Sequence, residues 1–302
     1  MTAAVPTTTA CPRCATEAVA GDRFCEVCGA DLAVRRADPA DHVEITVDGA
    51  AAVGDRGHVR ARNEDAVALG RTDGARVPDR VAAVVCDGVS STRSSQLAAR
   101  AAADAALDAL LGDHGDEHGD EHDVRSAVAA GAAAAAALAP RGTPAPPSCT
   151  LVCGVRDSGV LTVAWVGDSR AYWLGEPGAA EPSTLLTADH TAAAAAAAGT
   201  LDPAIAAARP DAITRWLGGD GDAEPDVAAL TPAGPGALLL CTDGLWKYLP
   251  DAAALAAVAL PALDLAGPRA AASALVAAAL AAGGADNVTV AVVPVPPRQE
   301  EP

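Results

Sequence analysis

Four short acidic segments, far apart in the chain but each beside a turn residue or a strand end, limit the folds open to this sequence. They are Arg60-Ala61-Arg62-Asn63-Glu64-Asp65, Asp87-Gly88, Thr242-Asp243-Gly244-Leu245-Trp246 and Ala285-Asp286-Asn287. Together they supply Glu64, Asp65, Asp87, Asp243 and Asp286. That many hard oxygen ligands can neutralise two divalent cations, and Mg2+ or Mn2+ prefers such ligands. Two such ions ~3.5–4 Å apart can turn water into a nucleophile and hold a phosphate for in-line displacement.

The chain is 302 residues long, enough for one large domain with a solid core plus a small appendage. Apolar residues make up 51% of it, but alanine dominates and aromatics are only 2%, so the core has to be built from Val, Leu and Ala. The formal charge of −18, with no long basic run, argues against a nucleic-acid partner, whose phosphates need Lys and Arg. The most apolar stretch, Val124 to Ala139, is short and mostly alanine, whereas a membrane span needs ~20 strongly apolar residues. Residues Met1 to Ala10 lack the cationic and apolar blocks of a secretory signal, so a cytoplasmic protein without membrane attachment is expected.

Four of the eight cysteines fall at Cys11, Cys14, Cys25 and Cys28, as two Cys-x-x-Cys knuckles separated by a hairpin-sized stretch. Thiolates two residues apart on a tight turn can face one Zn2+, and two such turns complete a tetrahedral site. A segment this small needs the metal for much of its stability. The alternative is a redox pair or unrelated thiols. Cys86, Cys149, Cys153 and Cys241 sit in apolar runs and read as small buried hydrophobes.

The expected organisation is a disordered stretch over 1–10, a zinc ribbon over 11–32, a linker over 33–42, a main domain over 43–295 and a disordered tail over 296–302. Within the main domain, Val43–Val47, Val81–Cys86, Thr150–Val155, Val160–Trp165, Ser169–Leu174, Ala237–Cys241 and Val288–Val293 read as strands. Asp157-Ser158-Gly159 marks a hairpin. Ser94–Leu111, Val124–Leu138, Thr191–Ala208, Pro250–Leu260 and Arg269–Ala282 read as helices. Between the first two, the Gly-Asp-Glu-His repeat carrying His114, His118 and His122 reads as a solvated loop over Gly112–Asp123, because Gly112, Gly115 and Gly119 oppose a helix. Strands in antiparallel runs favour an α+β layered sandwich over a doubly wound parallel sheet.

These segments, with Gly167-Asp168-Ser169-Arg170-Ala171-Tyr172, Leu186-Thr187-Ala188-Asp189-His190-Thr191 and Ile213-Thr214-Arg215-Trp216-Leu217-Gly218 between them, resemble in kind and order the metal-dependent Ser/Thr protein phosphatases of the protein phosphatase 2C family, bacterial type. The resemblance covers nearly all of Val43 to Val295. It implies a four-layer α-β-β-α sandwich, two antiparallel sheets flanked by helices, with metals at one end. It places Asp65, Asp243 and Asp286 on one metal and Glu64 on the other, with Asp87 bridging and the Gly88 carbonyl joining the second. Asp168 matches a carboxylate that shares a third, weaker metal with Asp243; a turn-capping or ion-pairing role with Arg170 is the competing reading. Arg60 matches the arginine that grips substrate phosphate, and its guanidinium suits that role as a permanent bidentate clamp. Asn287 is expected to orient the last loop, and Asp189 and His190 to order the start of a flap over about 191–225.

The implied activity is hydrolysis of phosphoserine and phosphothreonine by a two-metal-activated water, with two Mn2+ or Mg2+ and one structural Zn2+. The partners are phosphorylated proteins, and a Ser/Thr kinase that the enzyme opposes, or its targets. The chain departs from the family at Val89-Ser90-Ser91, where His-Gly-Gly commonly follows the Asp-Gly pair. Val89 cannot donate a proton, and the serines can narrow the approach to the metals. A phosphatase-like scaffold that binds phosphoproteins through the ribbon without turning them over is therefore the alternative.

Overall fold

The computed structural model describes residues 8–10, 17–19, 27, 41–47, 49–72, 80–112, 120–176, 178 and 181–297. Cys11, Cys14, Cys25 and Cys28 lie outside the described residues, as do His114, His118 and everything from Arg298 onward. The chain divides into two compact units, Met1–Ala40 and Asp41–Pro302. In the first, β1 (Thr8–Ala10) and β2 (Glu17–Val19) pair antiparallel.

The second unit opens with β3 (His42–Val47), β4 (Ala50–Asp55), β5 (Ala66–Arg71) and β6 (Val81–Cys86), followed by α1 (Ser95–Leu111) and α2 (Asp120–Ala136). Next come β7 (Ser148–Cys149), β8 (Leu151–Asp157), β9 (Val160–Val166), β10 (Arg170–Gly175) and β11 (Thr184–Leu185). The short helices α3 (Ala192–Ala197) and α4 (Pro203–Ala208) precede β12 (Leu217–Gly218), β13 (Asp226–Leu230) and β14 (Gly236–Cys241). The chain closes with α5 (Asp243–Trp246), α6 (Ala252–Ala266), α7 (Pro268–Ala282) and β15 (Val288–Val295).

Two antiparallel sheets result, one ordered β11-β10-β14-β15-β4-β3 and the other β13-β9-β8-β6-β5. Their facing sides interdigitate through Val67, Val85, Val152, Val163, Leu238, Leu240 and Val293, with Trp165 and Trp173 as the large anchors. Outside, α1 and α2 cover one sheet and α6 and α7 the other. The layered sandwich expected from the strand pattern is therefore what forms.

The alanines explain the helical layers. Ala98, Ala99, Ala102, Ala103 and Ala106 form the buried stripe of α1, and side chains this short let the helix lie close on β6 and β8. The β8–β9 hairpin turns through Ser158 and Gly159, both at positive φ (47° and 80°), as a two-residue primed turn requires.

Two sequence expectations are corrected. The loop assigned to Gly112–Asp123 gives way to α2 at Asp120, because Asp123 is buried and accepts a hydrogen bond from Arg80 at 2.7 Å, which anchors the first turn. Thr191–Ala208 is two short helices, not one. Gly199 at φ 76° ends the first, and Asp202 caps the second with Pro203 at its first turn.

Candidate active site

Strand register alone brings the acidic segments to one end of the sandwich. Ala66 pairs with Cys86, so Asp65 and Asp87 are the next residues out on neighbouring strands. Arg170 pairs with Cys241, and the same register carried two residues on sets Asp168 opposite Asp243. Cys241 pairs with Val290, which brings the loop containing Asp286 beside the Asp243 turn. The Thr242 hydroxyl crosses between the sheets to donate to Asp65 Oδ2 at 2.9 Å.

Glycines allow the close approaches. A Cβ on Gly244 would lie 1.9 Å from the Asn287 carbonyl oxygen, so only glycine lets α5 start against the entry to β15. A Cβ on Gly88 would lie 2.7 Å from the Glu64 carbonyl oxygen, so the two segments touch backbone to backbone. The Asp87 main chain is held from both sides: its N–H donates to Thr150 Oγ1 at 3.2 Å and its carbonyl accepts from the Thr150 N–H at 2.8 Å.

The result is a cluster of like charges. Burial pushes the Asp65 carboxyl up to about 7, with Asp243 and Asp286 adding to the shift and the Thr242 hydroxyl opposing it. Burial also drives Asp87 well above the ordinary carboxylate range, reinforced by Asp65, Asp243, Asp168 and Asp286. Asp168 rises to about 7 through burial and then the charge of Asp243. Asp168 does not pair with Arg170. That guanidinium forks onto Asp189 at 2.9 and 2.8 Å.

The donor set suits hard divalent cations. Asp65 Oδ1 and Asp243 Oδ1 are buried with no hydrogen-bond partner, and the Thr289 hydroxyl approaches Asp65 without completing a bond. Orphaned carboxylate oxygens are costly unless a cation takes them. Among the described residues no three such groups already close on a single point as a finished shell. Three other oxygens are engaged: Glu64 Oε1 accepts from Ser95 Oγ at 2.9 Å, Asp286 Oδ2 from Arg60 Nη2 at 2.6 Å and Asp243 Oδ2 from Lys247 Nζ at 2.5 Å.

Arg60 lies on the loop between β4 and β5, half-buried. Its Nη1 donates to Ser90 Oγ at 3.0 Å, and its carbonyl accepts from Arg56. Ser90 and Ser91 are exposed, and Ser90 meets the arginine, not the carboxylates. The Val89 N–H is spent on the Ser148 carbonyl at 2.9 Å.

Asn287, expected to orient the last loop, orients the Arg60 loop instead. Its Nδ2 donates to the Arg56 and Arg62 carbonyls at 2.8 and 2.9 Å, and its Oδ1 accepts from the Glu64 N–H at 2.8 Å. His190 and Asp189 order the start of the flap. His190 Nδ1 accepts from the Gly167 N–H at 3.1 Å, which leaves the ring proton on Nε2, 3.3 Å from Asp226 Oδ2. Burial lowers the His190 pKa, so the ring is a neutral strut beside Asp168.

Sequence reasoning missed two contributors. The Trp246 indole donates to the Asp168 carbonyl at 2.9 Å while the Arg170 guanidinium stacks 3.7 Å from its ring centre. That ties the Asp168 turn to the Asp243 turn, and a tryptophan three residues after Asp243 was the available signal. Lys247 was the other, and its signal was its rarity.

Residues 55–281 match the protein phosphatase 2C family. No curated protein matches the sequence. The solved serine/threonine phosphatase PstP/Ppp of Mycobacterium tuberculosis is 30% identical, with 82% of this chain and 98% of that chain covered and a TM-score of 0.62. The catalytic domain of PstP in complex with two manganese ions is 30% identical, with 82% and 97% covered and a TM-score of 0.61. The PPM Ser-Thr phosphatase MsPP of Mycobacterium smegmatis, in complex with cacodylate, is 28% identical, with 82% and 99% covered and a TM-score of 0.58.

Proposed function

Since the chain belongs to the protein phosphatase 2C family of metal-dependent Ser/Thr phosphatases, we propose that it hydrolyses phosphoserine and phosphothreonine in proteins at the carboxylate end of the sandwich. The observation that carries this reading is the convergence of Asp65, Asp87, Asp168, Asp243 and Asp286, with two buried carboxylate oxygens lacking partners. The PstP catalytic domain, of like fold, holds two manganese ions. Here Asp65, Asp243 and Asp286 would hold one Mn2+ or Mg2+, Glu64 and the Gly88 carbonyl would serve the second, and Asp87 would serve both. Such ions supply an activated water and neutralise phosphate charge.

The chain's own residues do the rest. Arg60 swings from Asp286 to the phosphate, where its fork binds two equatorial oxygens and stabilises the charge that builds there. Ser90, already hydrogen-bonded to Arg60, steadies the guanidinium at the rim. Asn287 fixes the loop that carries both Arg60 and Glu64, so the clamp and the ligands move together. Neither Val89 nor His190 is placed to protonate the leaving alkoxide. His190 is committed to Gly167 and Asp226, so solvent water delivers that proton.

The reading extends to the parts outside this site. Cys11, Cys14, Cys25 and Cys28 would hold one Zn2+ and present a docking module for phosphoprotein substrates. Among the described residues no helix is long and apolar enough to cross a membrane. The enzyme would work in the cytoplasm against Ser/Thr kinases.

The test is hydrolysis of an aryl phosphate and a phosphothreonine peptide with Mn2+, Mg2+ or chelator, beside Asp243→Asn. Metal-dependent turnover that the variant lacks supports the reading. Tight Mn2+ binding without turnover overturns it.

A further inference from the structure

Lys247 is the only lysine in the chain; the other twenty of its 21 Lys and Arg residues are arginines. It stands four residues after Asp243 on the short α5 turn, so the two side chains share a face. Its Nζ lies 2.5 Å from Asp243 Oδ2, and its charge is within electrostatic reach of Asp168 and Asp286. The ammonium sits at the Asp243–Asp168 edge of the cluster, across Asp243 from the orphaned Oδ1.

The charge count gives the position its meaning. Glu64, Asp65, Asp87, Asp168, Asp243 and Asp286 carry six negative charges when deprotonated for metal binding. Two divalent cations and Arg60 supply five positive charges, and Lys247 supplies the sixth. A compact ammonium is the side chain nearest in size and charge density to a hydrated cation, and an arginine fork is not. The third ion that family resemblance implies between Asp168 and Asp243 does not fit this chain, because it would meet a fixed positive charge there: the Lys247 ammonium is bound to Asp243 and within electrostatic reach of Asp168.

We propose that Lys247 is a tethered cation that stands in for a third divalent ion between Asp168 and Asp243, so that the carboxylate site loads two metal ions and no third. The inference rests on the phosphatase reading of the site but concerns stoichiometry, which that reading leaves open. It also assigns the oxygens of Asp243: Oδ1 to metal, Oδ2 to Lys247.

The experiment is Mn2+ titration of the metal-stripped full-length protein by calorimetry and native mass spectrometry, for wild type, Lys247→Met and the double variant Lys247→Met/Asp168→Asn. Wild type is expected to take up two Mn2+. Lys247→Met is expected to take up a third, weaker one, and the double variant to return to two. Three ions in wild type, or two in Lys247→Met with aryl phosphate turnover intact, overturns the role of Lys247 and leaves the phosphatase reading standing. No uptake by wild type overturns both.

Discussion

Two clusters of buried charge in this fold are built on opposite principles. Just before β6, Arg80 reaches Asp123 of α2 at 2.7 Å and Asp157 of β8 at 2.9 Å, and donates to the Leu110 carbonyl at 3.3 Å. Each carboxylate there faces a cation, and three elements are locked together. At the sandwich end, Asp65 and Asp87 face Asp243 and Asp286, Asp168 faces Asp243, and burial with repulsion raises all three. The first cluster spends charge on architecture. The second holds charge that the protein's two nearby cations, Arg60 and Lys247, only partly offset. A site of that kind costs stability until metal arrives, a common exchange of stability for function.

The largest expected effect tests that contrast directly. Asp87→Asn removes a charge the fold does not want and the chemistry does. Turnover of aryl phosphate should fall by at least ~10³-fold, the scale of a lost electrostatic contribution of several kcal/mol. The metal-stripped variant should nevertheless melt higher than metal-stripped wild type, because a neutral amide relieves the repulsion from Asp65 and Asp243. Wild-type turnover, or a lower melting temperature, would break the comparison.

Asp123→Ala makes the reverse experiment. It strips one partner from the buried Arg80 and should cost about 3 kcal/mol in urea unfolding, at the low end for a broken buried pair because Asp157 remains. Mn2+ affinity should stay at the wild-type value. A large loss of metal affinity with little loss of stability would show that the two clusters are coupled. Next in size is ligand stabilisation: Mn2+ at 100 times its Kd should stabilise wild type by about 2.7 kcal/mol, and Asp87→Asn should lose that gain.

The carboxylate cluster was more legible in the sequence than the ion network, for physical reasons. Asp87, Asp243 and Asp286 each sit beside a strand that reads plainly from its apolar run, whereas β5 beside Asp65 does not read as a strand; register then aligns the strand ends. Arg80 and Asp123 pair across 43 residues from a strand edge and a helix start, and no local pattern marks such a contact. The same blindness put Asp123 in a loop. The two-residue strands β7, β11 and β12 escaped because so short a piece carries no periodicity, and β4, β5 and β13 escaped as well. Gly244 reads locally as a turn glycine, yet its role is close approach to Asn287, which only the packed structure reveals. Lys247 stood in plain view as the lone lysine, but a single residue has no period, and only its 2.5 Å contact with Asp243 gives it meaning.

The smallest expected effect on catalysis extends the comparison to a third set of ligands. The four thiols Cys11, Cys14, Cys25 and Cys28, like the carboxylates, are read as needing a metal to be stable together. They belong to a separate compact unit, so their metal should serve that unit's fold and not the phosphate chemistry. The double variant Cys11→Ser/Cys14→Ser should therefore lose its zinc by elemental analysis while kcat/KM for a small aryl phosphate stays at the wild-type value. Its kcat/KM for phosphoprotein substrates should fall, through KM, because docking and not the bond-breaking step is lost. Collapse of aryl phosphate turnover would instead couple the thiol cluster to the carboxylate end and make its metal part of the active fold.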